Sequence, residues 1–162
     1  MVLVNEFIDK FKAMDNKDLL ISVLDAVLAS NTLNSDSATM FLVHCDKLGL
    51  SKQASGCAQV LATNFYTLSD KKFIFELSAN SFCSLLRSDD LFIKSEDSVF
   101  EIADEYVKKN DARLTLQQKQ DIMQSVRFTF MTLEKLSWLK DNDAIQELVP
   151  LDVVIDALWA RL

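Results

Sequence analysis

Residues 88–107 read Ser-Asp-Asp-Leu-Phe-Ile-Lys-Ser-Glu-Asp-Ser-Val-Phe-Glu-Ile-Ala-Asp-Glu-Tyr-Val, and this stretch decides the fold class. From Val99 onward its apolar residues recur at three- and four-residue steps, which is the period of an amphipathic helix. Ser95 stands at the N-cap position, and Glu96 and Asp97 follow in the first turn, where the helix dipole favours negative charge. The stretch therefore predicts a well-capped helix that buries one broad face.

Composition extends this prediction to the whole chain. Among 162 residues there are only 2 Gly and 1 Pro, so few residues break helices, and an all-α fold is predicted. The net charge of −7 argues against a nucleic acid or an anionic membrane as partner. No apolar run is long enough to span a bilayer, and no signal-peptide pattern opens the chain. The 3 cysteines, Cys45, Cys57 and Cys83, lack a Cys-x-x-Cys spacing, which indicates reduced, buried thiols in a cytosolic or nuclear protein.

Helical periods recur along the rest of the chain. They predict helices at residues 2–14, 17–29, 36–48, 52–65, 79–87, 116–125, 133–140 and from Pro150 to the end. Gly49 is placed to end the third of these in a left-handed turn. On that helix, Ala38, Phe41, Leu42, Cys45 and Leu48 form the expected buried stripe.

Three further predictions concern a helix cap, a connection and the buried face of the last helix. Ser69 is expected to cap a short helix. Residues 126–130 alternate apolar and polar side chains, so we expect a helix end that runs into an extended connection. The last helix should bury the stripe formed by Val154, Ile155, Leu158 and Leu162.

A set of short motifs in fixed order then points to a family. They are Leu85-Leu86, Ser88-Asp89-Asp90-Leu91, Ser95-Glu96, Val99-Phe100-Glu101, Tyr106-Val107 and Val126-Arg127. Together they resemble the BACK domain, the helical module that follows a BTB domain in many BTB–Kelch proteins. The chain departs mildly from the family at Tyr106, where most relatives have Trp, and at Asn110, where Asp is usual. The resemblance extends from about residue 17 to residue 162.

The resemblance implies an architecture of stacked antiparallel hairpins with about nine or ten helices. Residues 1–30 resemble the end of a BTB domain. Residues 31–162 would form the three-box, a helical hairpin that bridges BTB and BACK, and the BACK domain as one continuous helical body. Because no BTB body precedes these helices, we expect the chain to be a segment of a longer protein.

The resemblance also implies a function without catalysis. Family members act as substrate adaptors of cullin-3 ubiquitin ligases, in which BTB and three-box hold the cullin and another domain holds the substrate protein. A homodimer of the full-length protein and a cytoplasmic location, with the nucleus left open, belong to this expectation. The alternative is an architectural helical spacer or self-association module that binds no cullin. Neither interpretation requires a cofactor.

Two groups of residues are the candidate sites. Met40, Val43, His44 and Lys47 lie off the buried stripe of helix 36–48, so they are candidates for a partner contact in the three-box groove. The competing interpretation is that they pack against a neighbouring helix.

The second group is Glu96 and Arg127, the charged residues that the family pattern fixes most firmly. They are expected to form a structural ion pair between two segments, and the alternative is a catalytic or ligand-binding pair. Asp89 and Asp90 lack the spacing of a calcium loop, and no phosphate-binding glycine motif occurs. We therefore predict no catalytic residue and no metal site. Trp138 and Trp159 are left open between core positions and an interface with another domain.

Overall fold

A computed structural model of the chain describes residues 17–161. Between those limits the chain forms nine α-helices and no β-strand, so the predicted all-α class is confirmed. The helices are α1 Lys17–Ala29, α2 Ser35–Leu48, α3 Ser51–Thr63, α4 Ala79–Leu86, α5 Glu96–Lys109, α6 Leu116–Met123, α7 Leu133–Lys140, α8 Asp143–Gln146 and α9 Leu151–Trp159. Four short 3-10 helices join them, at Phe65–Thr67, Lys71–Glu76, Asp111–Arg113 and Phe128–Phe130. The helix predicted at 2–14 and the inward position predicted for Leu162 lie outside the described residues.

The chain divides into two compact units, Met1–Ser78 and Ala79–Leu162. The division that the resemblance predicts, residues 1–30 and 31–162, follows family architecture and stays a prediction. None of the helices within residues 17–161 combines the length and the apolar character needed to cross a membrane.

In the first unit, α2 and α3 form the predicted hairpin around Gly49. This residue has a φ of 67°, in the left-handed region that glycine adopts without strain, and its N–H donates to the carbonyls of Asp46 and Cys45. At the other end of α2, Asn34 Oδ1 accepts the N–H of Ser37 at 2.8 Å. The sequence therefore fixes both ends of the helix locally.

A glycine in α3 allows this helix to approach α1 closely. A Cβ atom on Gly56 would lie 2.8 Å from Cδ1 of Leu28, which is closer than side-chain carbons normally pack. The close approach of α1 and α3 at this point therefore depends on the absence of a side chain at Gly56.

The short helix predicted after Ser69 differs in type and in cap. It is the 3-10 helix Lys71–Glu76, and Asp70 rather than Ser69 accepts the N–H of Lys72, at 2.9 Å. Ser69 instead donates its hydroxyl to Asp36 Oδ2 at 2.7 Å. The prediction of the cap was wrong because both residues are good caps, and a carboxylate on α2 already binds the serine.

In the second unit, α5 follows its sequence pattern closely. Ser95 Oγ accepts the N–H of Ser98 at 3.3 Å, as predicted for the N-cap. Seven of the helix residues are buried: Glu96, Val99, Phe100, Ile102, Ala103, Tyr106 and Val107. The ring of Tyr106 stacks on Phe82 with centroids 3.9 Å apart, and Arg113 Nη2 donates to the Tyr106 hydroxyl at 3.2 Å. The hydroxyl of the buried phenol thus has a hydrogen-bond partner.

Two predictions in the second unit are corrected. Residues 126–130 are not extended, because Phe128–Phe130 is a 3-10 helix in which the Met131 N–H donates to the Phe128 carbonyl. On α9 the buried residues are Val154 and Ala157, whereas Ile155 is 36% exposed. Positions 154 and 157 lie on one helical face, and position 155 is turned about 100° away from 154.

Candidate interaction surface

The α2–α3 hairpin carries the predicted partner-contact residues, and the structure corrects their placement. Met40 and Val43 are each only 3% exposed, so they do not lie on an outward face. The six consecutive residues 38–43 are all buried, because α2 packs against both α3 and the 3-10 helix Lys71–Glu76. Both residues therefore pack inside the protein, as the competing interpretation expected.

The other two candidates lie closer to the end of α2. His44 is partly exposed and Lys47 is exposed, with Lys47 Nζ 3.6 Å from Glu76 Oε2. Leu48, which the sequence placed in the buried stripe, is 44% exposed. We call His44, Lys47 and Leu48 the hairpin tip. Leu48 is the last residue of α2, directly before the turn at Gly49.

The structure brings Glu96 and Arg127 together. Glu96 Oε2 lies 3.3 Å from Arg127 Nε, and Glu96 Oε1 accepts the backbone N–H of Arg127 at 2.7 Å. The Glu96 side chain is 6% exposed and that of Arg127 is 40% exposed. Arg127 Nε is buried without a hydrogen bond, so the side-chain contact is ionic. The stronger link is therefore the one from the carboxylate to the backbone.

The next residue of α5 repeats this arrangement. Asp97 accepts the backbone N–H of Thr132 at 2.9 Å and the Thr132 hydroxyl at 2.6 Å. Thr132 is also the N-cap of α7, because its Oγ1 accepts the N–H of Lys135. Two carboxylates in the first turn of α5 thus hold residues 127–132 and set where α7 begins. The sequence predicted that Asp97 would lie in the first turn of α5. It did not predict Thr132 as its partner, because residue spacing carries no information on such a distant contact.

Two of the three thiols, Cys57 and Cys83, offer little nucleophilic chemistry, whereas the hydrogen bond with Cys57 lowers the pKa of Cys45. Cys45, Cys57 and Cys83 are all free and buried. The hydrogen bond between Cys57 and Cys45, together with burial, raises the pKa of the Cys57 thiol, and burial raises the pKa of Cys83. Both groups therefore stay protonated at neutral pH, and a protonated thiol is a much poorer nucleophile than a thiolate. Across residues 17–161, no three His, Cys, Asp or Glu side chains are grouped so that they could hold a metal ion.

Comparison with known proteins agrees with this arrangement of helices. The family model BACK, described as BTB And C-terminal Kelch, matches residues 38–140. No curated protein and no solved structure matches the chain. The family match begins inside α2 and ends at the last residue of α7, so it includes most of the hairpin, α5 and the Glu96–Arg127 contact. Because it covers more than half of the sequence, the chain belongs to the BACK family, a non-catalytic module of the protein-interaction adaptor type.

Proposed function

We propose that this chain is the BACK part of a substrate adaptor for a cullin-3 ubiquitin ligase. In this role it sets the distance between the cullin and a substrate-binding domain that lies outside the chain. The observation that carries the proposal is the family match over residues 38–140, which spans both the hairpin and α5. The buried free thiols fit a reducing compartment, and we place the protein in the cytoplasm.

A spacer of this kind must resist bending, and the packing supports that requirement. In the first unit the centre of α2 is buried from residue 38 to residue 43. In the second unit, Val99, Ala103 and Tyr106 are fully buried along α5, and Glu96 and Asp97 hold residues 127–132. Close-packed interiors transmit strain rather than absorb it, so each unit is suited to hold a fixed length.

The hairpin tip is the part of the three-box that we assign to cullin contact. Leu48 offers an exposed apolar side chain, and Lys47 lies beside it with 59% of its side chain exposed. An apolar anchor next to a charge suits recognition of an amphipathic helix. The tip is small, and it would contribute to a larger interface rather than provide the whole affinity.

The test measures binding of the purified chain to the N-terminal region of cullin-3 by isothermal titration calorimetry. We expect binding by the wild type and a loss of about tenfold or more in the Leu48→Asp variant, because a charge would replace the anchor. Leu133→Asp is the matched control, since Leu133 is 45% exposed and lies in the other unit. It should bind like the wild type.

Two outcomes would contradict the assignment. Equal affinities of Leu48→Asp and Leu133→Asp would remove the hairpin tip from the interface. No binding by the wild type, with the helical circular dichroism spectrum intact, would overturn the cullin role for this chain.

The second candidate function is an architectural spacer or self-association module that binds no cullin. The observation that favours it is the exposure of aromatic side chains in the second unit, where Phe130 and Trp159 are each 69% exposed. Contiguous exposed apolar patches mark interaction surfaces, and α9, which carries Trp159, packs against the 3-10 helix Phe128–Phe130. Sedimentation equilibrium separates the two functions, because a dimer that loses its self-association in Trp159→Ser and does not bind cullin-3 would support this candidate.

A further inference from the structure

A groove in the second unit is not used by the proposed cullin contact. It has a cavity volume of about 700 Å³ and lies between the C-terminal half of α5, the start of α6 and the helices α7 and α8. Its larger apolar lining residues are Val107, Leu116, Trp138, Ile145 and Leu148. We call it the Trp138 groove. Its volume falls in the range of pockets that hold small ligands or a few side chains.

The aromatic wall of the groove is held in place while remaining accessible. Trp138 is 48% exposed, and its ring meets the edge of Phe100 at a centroid distance of 6.4 Å. Lys135 Nζ lies 4.9 Å from the centroid of Trp138. Leu116 is likewise 48% exposed, whereas Val107 and Ile145 are buried beneath the groove. A fixed indole beside an exposed leucine is the kind of surface that anchors a bulky apolar side chain.

The charges at the rim are unequal. The two rim lysines are already engaged, since Lys108 Nζ lies 2.6 Å from Asp104 Oδ2 and Lys119 Nζ lies 2.5 Å from Asp111 Oδ1. Glu147 also lines the groove and is exposed, and no described Lys or Arg lies within ion-pair distance of it. The groove lining therefore carries three carboxylates against two ammonium groups, with the uncompensated charge at Glu147. Lys135, beside Trp138, is also engaged, because its Nζ lies 3.4 Å from Glu101 Oε1.

We propose that the Trp138 groove docks a segment of a partner protein in which a bulky apolar residue is flanked by arginine or lysine. The apolar residue packs against Trp138 and Leu116, and the cation pairs with Glu147. Charge complementarity selects this class of segment over an acidic one, because a carboxylate placed at the rim would face Glu147 with no free cation to receive it. The proposal is independent of the hairpin tip, which belongs to the other unit.

The experiment uses the full chain carrying Trp159→Phe, so that Trp138 is the only indole and its fluorescence reports on the groove. The probe is the acetylated peptide amide Arg-Leu-Ala-Arg-Leu-Ala-Arg, and its counterpart has Glu in place of each Arg. We expect saturable binding of the basic peptide with a blue shift of Trp138 emission. The affinity should fall as salt rises, because the contacts at the rim are exposed. The acidic peptide should not bind.

Glu147→Lys is the decisive variant, and Glu134→Lys is its matched control, with the same charge change on an exposed residue of α7 outside the groove. Glu147→Lys should weaken binding about tenfold while Glu134→Lys leaves most of the affinity. Equal effects of the two variants, comparable binding of both peptides, or no binding of either would overturn the proposal. A concentration-dependent dimer that Glu147→Lys abolishes would also overturn it and assign the groove to a second copy of the chain.

Discussion

Helices α2 and α5 have the same length, 14 residues, but they are buried in different ways. The buried residues of α5 recur at three- and four-residue steps, and the opposite face is exposed. In α2 six buried residues follow one another, from 38 to 43. Helix α5 therefore has solvent along one side, whereas α2 is enclosed through its centre.

The difference follows from where each helix carries its charges. On α5 charged residues occur from the first turn to the last, and the exposed ones on the outer face are Glu101, Glu105, Lys108 and Lys109. On α2 the charges are Asp36, Asp46 and Lys47, all near the two ends. A central stretch without charge can be enclosed on every side, since nothing in it must reach water. This teaches that the charge pattern locates the exposed face more securely than the apolar stripe does.

The largest expected effect tests the enclosure of α2. Met40→Asp should cost about 4–5 kcal/mol or unfold the first unit, because an unpaired carboxylate would be buried. Leu48→Asp, on the exposed tip of the same helix, should cost less than about 1 kcal/mol. Urea denaturation followed by circular dichroism measures both. Similar losses in the two variants would mean that α2 is not enclosed.

On α5 the corresponding test is Phe100→Ala, which should cost about 3–5 kcal/mol because a side chain only 1% exposed leaves a cavity. Phe92→Ala makes the same substitution at a residue that is 60% exposed, and we expect a change within about 1 kcal/mol. Thermal denaturation of both variants gives the comparison. If Phe92→Ala proved the more damaging of the two, the buried face of α5 would be assigned wrongly.

The comparison also explains how much of the fold the sequence could predict. Features set by neighbouring residues were correct: the Ser95 cap, the Gly49 turn and the buried position of Phe100. Cap choice failed where two capping residues are adjacent, at Ser69 and Asp70, because a distant carboxylate decided between them. Local chemistry thus predicts element ends until a tertiary contact competes.

The candidate site was less predictable because exposure depends on what lies opposite. Met40 and Val43 were candidates for a partner contact because they are off the main stripe, with packing against a neighbouring helix as the competing interpretation. The structure supports the packing, because α3 and the 3-10 helix Lys71–Glu76 cover α2 broadly. Leu48 was expected inside, yet the hairpin ends there. The periodicity of α2 does not show how much of its surface the neighbouring elements cover, or where that cover ends.

A smaller effect is expected at the start of α5. Glu96→Ala should cost about 2–3 kcal/mol, because it removes both the ionic contact and the acceptor of the Arg127 N–H. Arg127→Ala should cost about 1–2 kcal/mol, since that side chain is 40% exposed and solvent weakens its charge. Arg87→Ala, at an exposed arginine whose described contact is a 3.4 Å hydrogen bond to the Asp121 carbonyl, should change little.

Melting temperatures of these three variants rank the contacts. The expected order of destabilisation is Glu96→Ala, then Arg127→Ala, then Arg87→Ala. Equal shifts for the two arginine variants would refute a structural pairing of Arg127. A larger loss for Arg127→Ala than for Glu96→Ala would show that the ionic contact outweighs the carboxylate-to-backbone hydrogen bond.

The smallest effect concerns the N-cap of α5. Ser95→Ala should cost about 1 kcal/mol, because the N–H of Ser98 loses the Ser95 hydroxyl that accepts it at 3.3 Å. Ser84→Ala is the matched control on the exposed side of α4, where alanine favours the helix slightly and no loss is expected. Hydrogen exchange of the first-turn amides of α5 should accelerate in Ser95→Ala alone. Unchanged exchange there would mean that Glu96 and Asp97, through their contacts with residues 127–132, hold the first turn without the cap. Tertiary packing would then determine where α5 begins, just as it determines which residues of α2 are exposed.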